Sequence, residues 1–195
     1  MVLEGLDGAG TTTVAARVAQ ALKERDLRVQ LTAEPTDGPF GRLLRQHVQH
    51  EVTLDATAAA LVFTADRADH VAASILPAIG RGEWVICDRF LLSTLAYQGA
   101  EGVERDAILA ASASFPVPDV TFFLAVPDDV RDERMSGRQR VDRYEDPTLA
   151  ARLRASYLAS IDLLRARGDR IELVDATPPV TDVVSEVLSR LDAGA

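Results

Sequence analysis

The sequence predicts an α/β protein of three layers, with a five-stranded parallel sheet flanked by helices on both faces. Two observations carry this. Short apolar runs alternate with longer segments whose apolar residues recur at helical spacing, and a glycine-rich turn follows the first run and opens the first helix. Brief apolar runs suit strands buried on both faces, and their alternation with helices suits parallel pairing through crossover connections.

The elements follow in order. The first strand is read at residues 1–3, so brief that either it is very short or its natural start lies upstream. Further strands are read at 28–32, 84–87, 120–126 and 171–174, each rich in Val, Ile, Leu or Phe. Val14, Val18 and Leu22 recur four apart on the first helix. Val180, Val183, Val184, Val187, Leu188 and Leu191 mark the apolar stripe of the last. No repeat, low-complexity tract or linker divides the chain, so residues 1–195 are read as one domain.

Composition narrows the class. The chain is 47% hydrophobic and 26% charged, a globular balance. No apolar run reaches the roughly 18 residues that span a bilayer, and no signal peptide is read before the first strand. The single cysteine, Cys87, lies inside an apolar run and is read as a buried structural thiol. These features favour a cytoplasmic protein. A net charge of −9 argues against a nucleic-acid or anionic-membrane binder. Lys23 is the only lysine, and five arginines (Arg131, Arg134, Arg138, Arg140, Arg143) crowd one short stretch.

Gly5-Leu6-Asp7-Gly8-Ala9-Gly10-Thr11-Thr12 follows the first strand and opens a helix, the context of a phosphate loop. Its glycines admit close backbone approach, and the N–H groups at the helix start face an anion. The usual pattern places lysine where Thr11 stands, while Thr12 keeps a hydroxyl able to ligate Mg²⁺. Lys23 lies twelve residues further on, and one helix carries it roughly 18 Å away along the axis, out of reach. A replacement cation must then be arginine, or Mg²⁺ must bear more of the charge. On its own, the loop also reads as a glycine turn with a threonine N-cap.

Several blocks in order resemble the bacterial thymidylate kinase family, over essentially the whole chain. They are Glu4 to Thr13 apart from Thr11; Glu34-Pro35, with Ala33 where the family carries arginine; and Leu61-Val62-Phe63-Thr64-Ala65-Asp66-Arg67. Further along come Asp88-Arg89 through Tyr97-Gln98-Gly99, Pro118 to Leu124, and Asp142-Arg143-Tyr144-Glu145. The resemblance implies a P-loop NTPase fold, a nucleoside monophosphate kinase domain with a lid at about 136–147, and a homodimer formed through helices beside the base site.

It also implies roles. Gly5, Leu6, Asp7, Gly8, Ala9, Gly10, Thr11, Thr12 and Thr13 would cradle the ATP phosphates, and Ala176 would border adenine. Phe63 and Arg67, four apart on one helical face, would stack on thymine and meet its carbonyl edge, with Thr94 and Gln98 beside the base. Tyr97 would crowd the place of a 2′-hydroxyl, and Glu34 belongs to the same acceptor site. Arg45 and Arg89 would contact the acceptor phosphate. Asp7 would serve the sugar 3′-hydroxyl or the metal shell, and Thr12 and Asp88 would organise Mg²⁺. Arg138, Arg140 and Arg143 in the lid would join Asp7 and Arg89 in catalysis and compensate for the missing lysine.

The function so implied is transfer of the γ-phosphoryl of ATP to dTMP, giving dTDP and ADP in dTTP biosynthesis. The alternatives are a nucleotide-binding relative with weak or no catalysis, to which Thr11 and Ala33 point, and a related pyrimidine deoxynucleotide kinase.

Overall fold

A computed structural model describes residues 1–136 and 147–193. The strands β1 (Val2–Gly5), β2 (Val29–Ala33), β3 (Trp84–Asp88), β4 (Thr121–Ala125) and β5 (Ile171–Asp175) form one sheet in the order β2-β3-β1-β4-β5. Every pairing is parallel. The expected lid, with Arg138, Arg140 and Arg143, lies outside the described residues except at its margins.

Helices cover both faces. On one side α1 (Thr11–Lys23) and α9 (Val180–Ala193) bury Val14, Val18, Leu22, Val183, Val187 and Leu191 against Leu3, Ile86, Phe122 and Leu124. On the other lie α3 (Ala56–His70), α5 (Leu91–Ala100), α6 (Arg105–Ala111) and α8 (Pro147–Ala166). They pack Ala60, Leu95, Ile108, Tyr157 and Ile161 over Val2, Cys87 and Phe123. Alternate residues of each strand serve opposite layers, as the two-residue period of a strand requires. Cys87 is buried, as expected. The helices α2 (Pro39–Val48), α4 (Leu76–Gly80) and α7 (Asp128–Met135) complete the set among the described residues, and a π-helical turn, Val71–Ile75, joins α3 to α4.

Every strand is shifted by a residue or two from the sequence reading, and two differences at the loop bear on the site. β1 runs on through Glu4 and Gly5, because Glu4 continues the Val2 face into the layer beneath α5 and finds partners there. The N-cap of α1 is Gly10, with φ 89°, and no side chain caps it. A left-handed residue there is glycine's province. The free N–H groups of a 13-residue helix thus open at the carboxyl end of the central strand, where open α/β sheets place ligands.

Candidate active site

The phosphate loop is pressed against the C-terminal half of α7. Gly8 has φ 85°, and a Cβ on it would lie 2.9 Å from Arg131 Cγ and 3.0 Å from Met135 Cγ, so no larger residue fits without displacing that helix. Arg131 itself is committed to Asp128 and Asp132. Leu6, Ala9 and Thr11 are buried, whereas Thr12 and Thr13 face solvent. The Thr12 hydroxyl donates to Asp88 Oδ2 at 2.5 Å. Asp88 Oδ1 is buried with no hydrogen-bond partner among the described residues. An all-oxygen pair with a leftover acceptor fits a hard cation such as Mg²⁺, which takes one or two protein oxygens and completes its shell with phosphate and water.

A second group forms at the end of β3. Arg89 has φ 68°, a left-handed backbone unusual for a side-chain-bearing residue, and its N–H donates to the Leu3 carbonyl at 2.9 Å. Its guanidinium donates to Asp7 Oδ1 at 2.6 Å and, through Nη1, to the Gly5 carbonyl, Ser93 Oγ and Tyr157 OH. Tyr97 OH donates to the other Asp7 oxygen at 3.0 Å. Desolvation opposes the Arg89 charge, but Tyr97, Tyr157, Asp7 and Glu4 outweigh it and raise its pKa. Burial likewise pushes the Tyr97 phenol well up, so it acts as a donor and not a phenolate.

Beneath Arg89 lies Glu4. Its Oε1 accepts from the Phe90 and Ser93 amides and its Oε2 from the Ser93 hydroxyl at 2.6 Å. Burial nevertheless raises its pKa to about 7 from an ordinary 4.5, with Arg89 and Ser93 only partly offsetting the desolvation. The folded state therefore favours protonated Glu4. That contribution is fully present below pH 4.5, fades between 4.5 and 7, and is absent above. Comparing wild type with Glu4→Gln by urea unfolding from pH 5 to 8, the wild type is expected to lose about 2–3 kcal/mol relative to the variant as pH rises. A difference that stays constant with pH refutes this account.

The third group is an apolar pocket of about 120 Å³, lined by Asp7, Glu34, Pro35, Val48, Phe63, Arg67, Arg89, Phe90, Ser93, Thr94, Tyr97 and Gln98. At its wall, Arg67 Nε and Nη2 donate to Glu34 Oε2 at 3.0 and 2.7 Å, and Nη2 also to Thr94 Oγ1 at 2.9 Å. Phe90 lies under the guanidinium, 4.7 Å from ring centroid to Cζ. Arg67 and Glu34 are almost wholly buried, with side-chain exposures of 1% and 4%. Arg67 Nη1 has no hydrogen-bond partner among the described residues. A buried donor of this kind is costly unless a ligand satisfies it.

Comparison with known proteins agrees with this geometry. The thymidylate kinase family model matches residues 3–187. The chain belongs to the thymidylate kinase family. It is 37% identical over 192 residues to a probable thymidylate kinase of Pyrobaculum calidifontis, covering 98% of this chain and 95% of that protein. It is 39% identical over 200 residues to the thymidylate kinase of Bordetella petrii, covering 99% and 94%. With a probable thymidylate kinase of Pyrococcus abyssi it shares 35% over 195 residues, covering 97% and 93%. Membership makes the chain a kinase, a phosphotransferase on a P-loop NTPase fold.

Within this family frame, the pocket brings together eight of the residues read as acceptor-binding: Asp7, Glu34, Phe63, Arg67, Arg89, Thr94, Tyr97 and Gln98. Arg45, the ninth, does not line it. Its guanidinium donates to the Pro35 carbonyl at 2.9 Å and to Asp37 Oδ1 at 2.8 Å. Asp7 sits with Arg89 and Tyr97, apart from the Thr12–Asp88 pair. Ala176 donates its N–H to the Ala125 carbonyl, and its own carbonyl accepts from Arg134 at 2.9 Å. Arg138, Arg140 and Arg143 fall outside the described residues.

Sequence reasoning assigned nothing to Tyr157 or His70, counted Arg134 only among the clustered arginines, and passed Glu4 and Ser93 only as parts of matching blocks. Glu4 marked the end of the apolar run in the sequence, and only its contacts across the fold place it inside the strand. Tyr157 carries no such mark, since its contact with Arg89 spans 68 positions.

Proposed function

We propose that this chain is a thymidylate kinase that transfers the γ-phosphoryl of ATP to dTMP, giving dTDP and ADP. The observation that carries the reading is the buried, unpartnered Nη1 of Arg67 in an apolar pocket beside Phe63. A flat base fits between ring and guanidinium, with a carbonyl oxygen on Nη1. Tyr97 and Asp7 then stand at the sugar, and Arg89 at the phosphate end next to the phosphate loop. Tyr97 OH is already bound to Asp7, which leaves little room for a 2′-hydroxyl.

An oxygen of the acceptor phosphate attacks the γ-phosphorus, the bond to the β–γ bridging oxygen breaks, and that electron pair leaves on ADP. No general base is required, because the nucleophile is already an anionic oxygen. The protein's share is alignment and charge placement. Thr12 and Asp88 would hold Mg²⁺, which when bound neutralises phosphate charge. The loop amides and the N-terminus of α1 bind the donor phosphates, and Arg89 orients the acceptor. The exposed apolar Leu61 of α3 and Leu76 and Ile79 of α4 support a homodimer formed beside the base site.

ADP release with ATP and Mg²⁺ tests the reading, with dTMP, dUMP, dGMP and thymidine as acceptors. The expectation is efficient dTMP turnover, dUMP weaker by roughly 10–200-fold for its missing methyl, and no turnover of dGMP or thymidine. Well-folded protein that releases no dTMP-dependent ADP is a nucleotide-binding relative without catalysis, and the proposal fails. Comparable dGMP turnover defeats the thymine assignment.

A further inference from the structure

Arg67 and His70 stand three apart at the end of α3, just before the π-helical turn, and both reach Glu34 at the end of β2. His70 does not line the pocket, yet it is joined to it. Its Nδ1 lies 3.0 Å from Glu34 Oε1 and its Nε2 lies 2.6 Å from Thr32 Oγ1. A carboxylate only accepts, so Nδ1 carries a hydrogen and the ring holds one oxygen of Glu34. The other oxygen takes Nε and one hydrogen of Nη2 from Arg67, and Thr94 Oγ1 takes the second Nη2 hydrogen. Among the described residues, every N–H of the guanidinium is thereby used except those on Nη1.

We propose that His70 is a positioning residue for base selection: with Thr32 behind it, it pins Glu34 so that Arg67 presents Nη1 alone to the acceptor nucleotide. The inference rests on reading the pocket as the dTMP site. An Nη1 amino group can only donate. It therefore suits a base with an oxo group at that edge and offers nothing to an exocyclic amine, as in cytosine. If Glu34 were free to swing, the guanidinium would lose its fixed plane and its single exposed donor, and both affinity and discrimination would fall. The π-helical turn fits this arrangement, since such turns collect where a helix must aim side chains at a site.

The test compares wild type, His70→Leu and His70→Asn. Calorimetry gives dTMP and dCMP binding, steady-state turnover with ATP gives KM and kcat, and melting checks the fold. Leucine removes both ring hydrogen bonds at similar volume, while the asparagine amide can still donate to Glu34. His70→Leu is expected to weaken dTMP binding and raise its KM about tenfold, to change KM for ATP by less than about twofold, and to narrow the preference for dTMP over dCMP. His70→Asn should recover most of the loss. Should leucine impair folding, His70→Gln, which cannot bridge Glu34 and Thr32 in the same geometry, replaces it in the comparison. A variant that melts lower yet binds dTMP like wild type overturns the proposal, since His70 is then a packing residue only. So does an equal rise in KM for ATP and dTMP. Wild type that binds dTMP without phosphorylating it defeats the kinase reading but leaves the His70 comparison standing, and wild type that does not bind dTMP overturns both.

Discussion

Replacement of Arg67 by alanine is expected to destabilise the fold by about 3–5 kcal/mol and to abolish measurable dTMP binding. The size follows from what remains behind. Glu34 has a side-chain exposure of 4%, and two of its hydrogen bonds come from Arg67. Without them a largely buried carboxylate at the wall of an apolar pocket keeps, among the described residues, only the His70 contact. The cation–π contact with Phe90 and the bond to Thr94 are lost as well. Urea unfolding measures the stability loss, and calorimetry measures the binding.

A second variant separates the two effects. Arg67→Met combined with Glu34→Leu removes the charge pair altogether, and a buried pair replaced by apolar side chains is often neutral for stability. The double variant should therefore recover most of the folding free energy while remaining unable to bind dTMP. If Arg67→Ala alone unfolds within about 1 kcal/mol of wild type, the pair is more hydrated than its burial implies.

The same pair explains how much of the site was legible in the sequence. Phe63 and Arg67 could be placed on one helical face by spacing, and Asp88-Arg89 at a strand's carboxyl end by the apolar run before them. The sheet was legible because each strand is an apolar run ended by polar residues. That rule failed where a polar residue is buried and satisfied: Glu4 is part of β1 because the Phe90 and Ser93 amides meet it. His70 and Tyr157 could not be found locally, since their meaning lies in contacts with Glu34, Thr32 and Arg89 across the fold. Arg45 adds a contact that the sequence did not announce. The sequence reads it as an arginine for the acceptor phosphate, and in the structure its guanidinium donates to the Pro35 carbonyl and to Asp37, residues that precede its helix.

The phosphate loop gives the other large expected effect: Thr11→Lys should raise kcat by about 10–100-fold. A charge-assisted contact to phosphate contributes roughly 1.5–3 kcal/mol, and if realised fully in the transition state it appears as one to two decades in rate. Thr11 begins α1, where a lysine side chain would extend toward the bound phosphates, and it is buried beside Gly5 with its methyl group inward. Lys23 ends the same helix and cannot substitute. The described arginines nearest the loop are engaged: Arg89 with Asp7, Arg131 with Asp128 and Asp132, and Arg134 with the Ala176 carbonyl. The sequence leads one to expect compensation from Arg138, Arg140 or Arg143, which lie outside the described residues, and a double-mutant cycle tests it. If a lid arginine supplies the missing charge, Arg140→Ala or its Arg138 or Arg143 counterpart should slow the wild type severely and the Thr11→Lys protein much less. Additive losses in both backgrounds would mean that the lid and the loop act independently. A Thr11→Lys protein with unchanged kcat and unchanged KM for ATP would mean that the loop amides, the N-terminus of α1 and Mg²⁺ already provide the positive field that lysine provides in the usual phosphate loop.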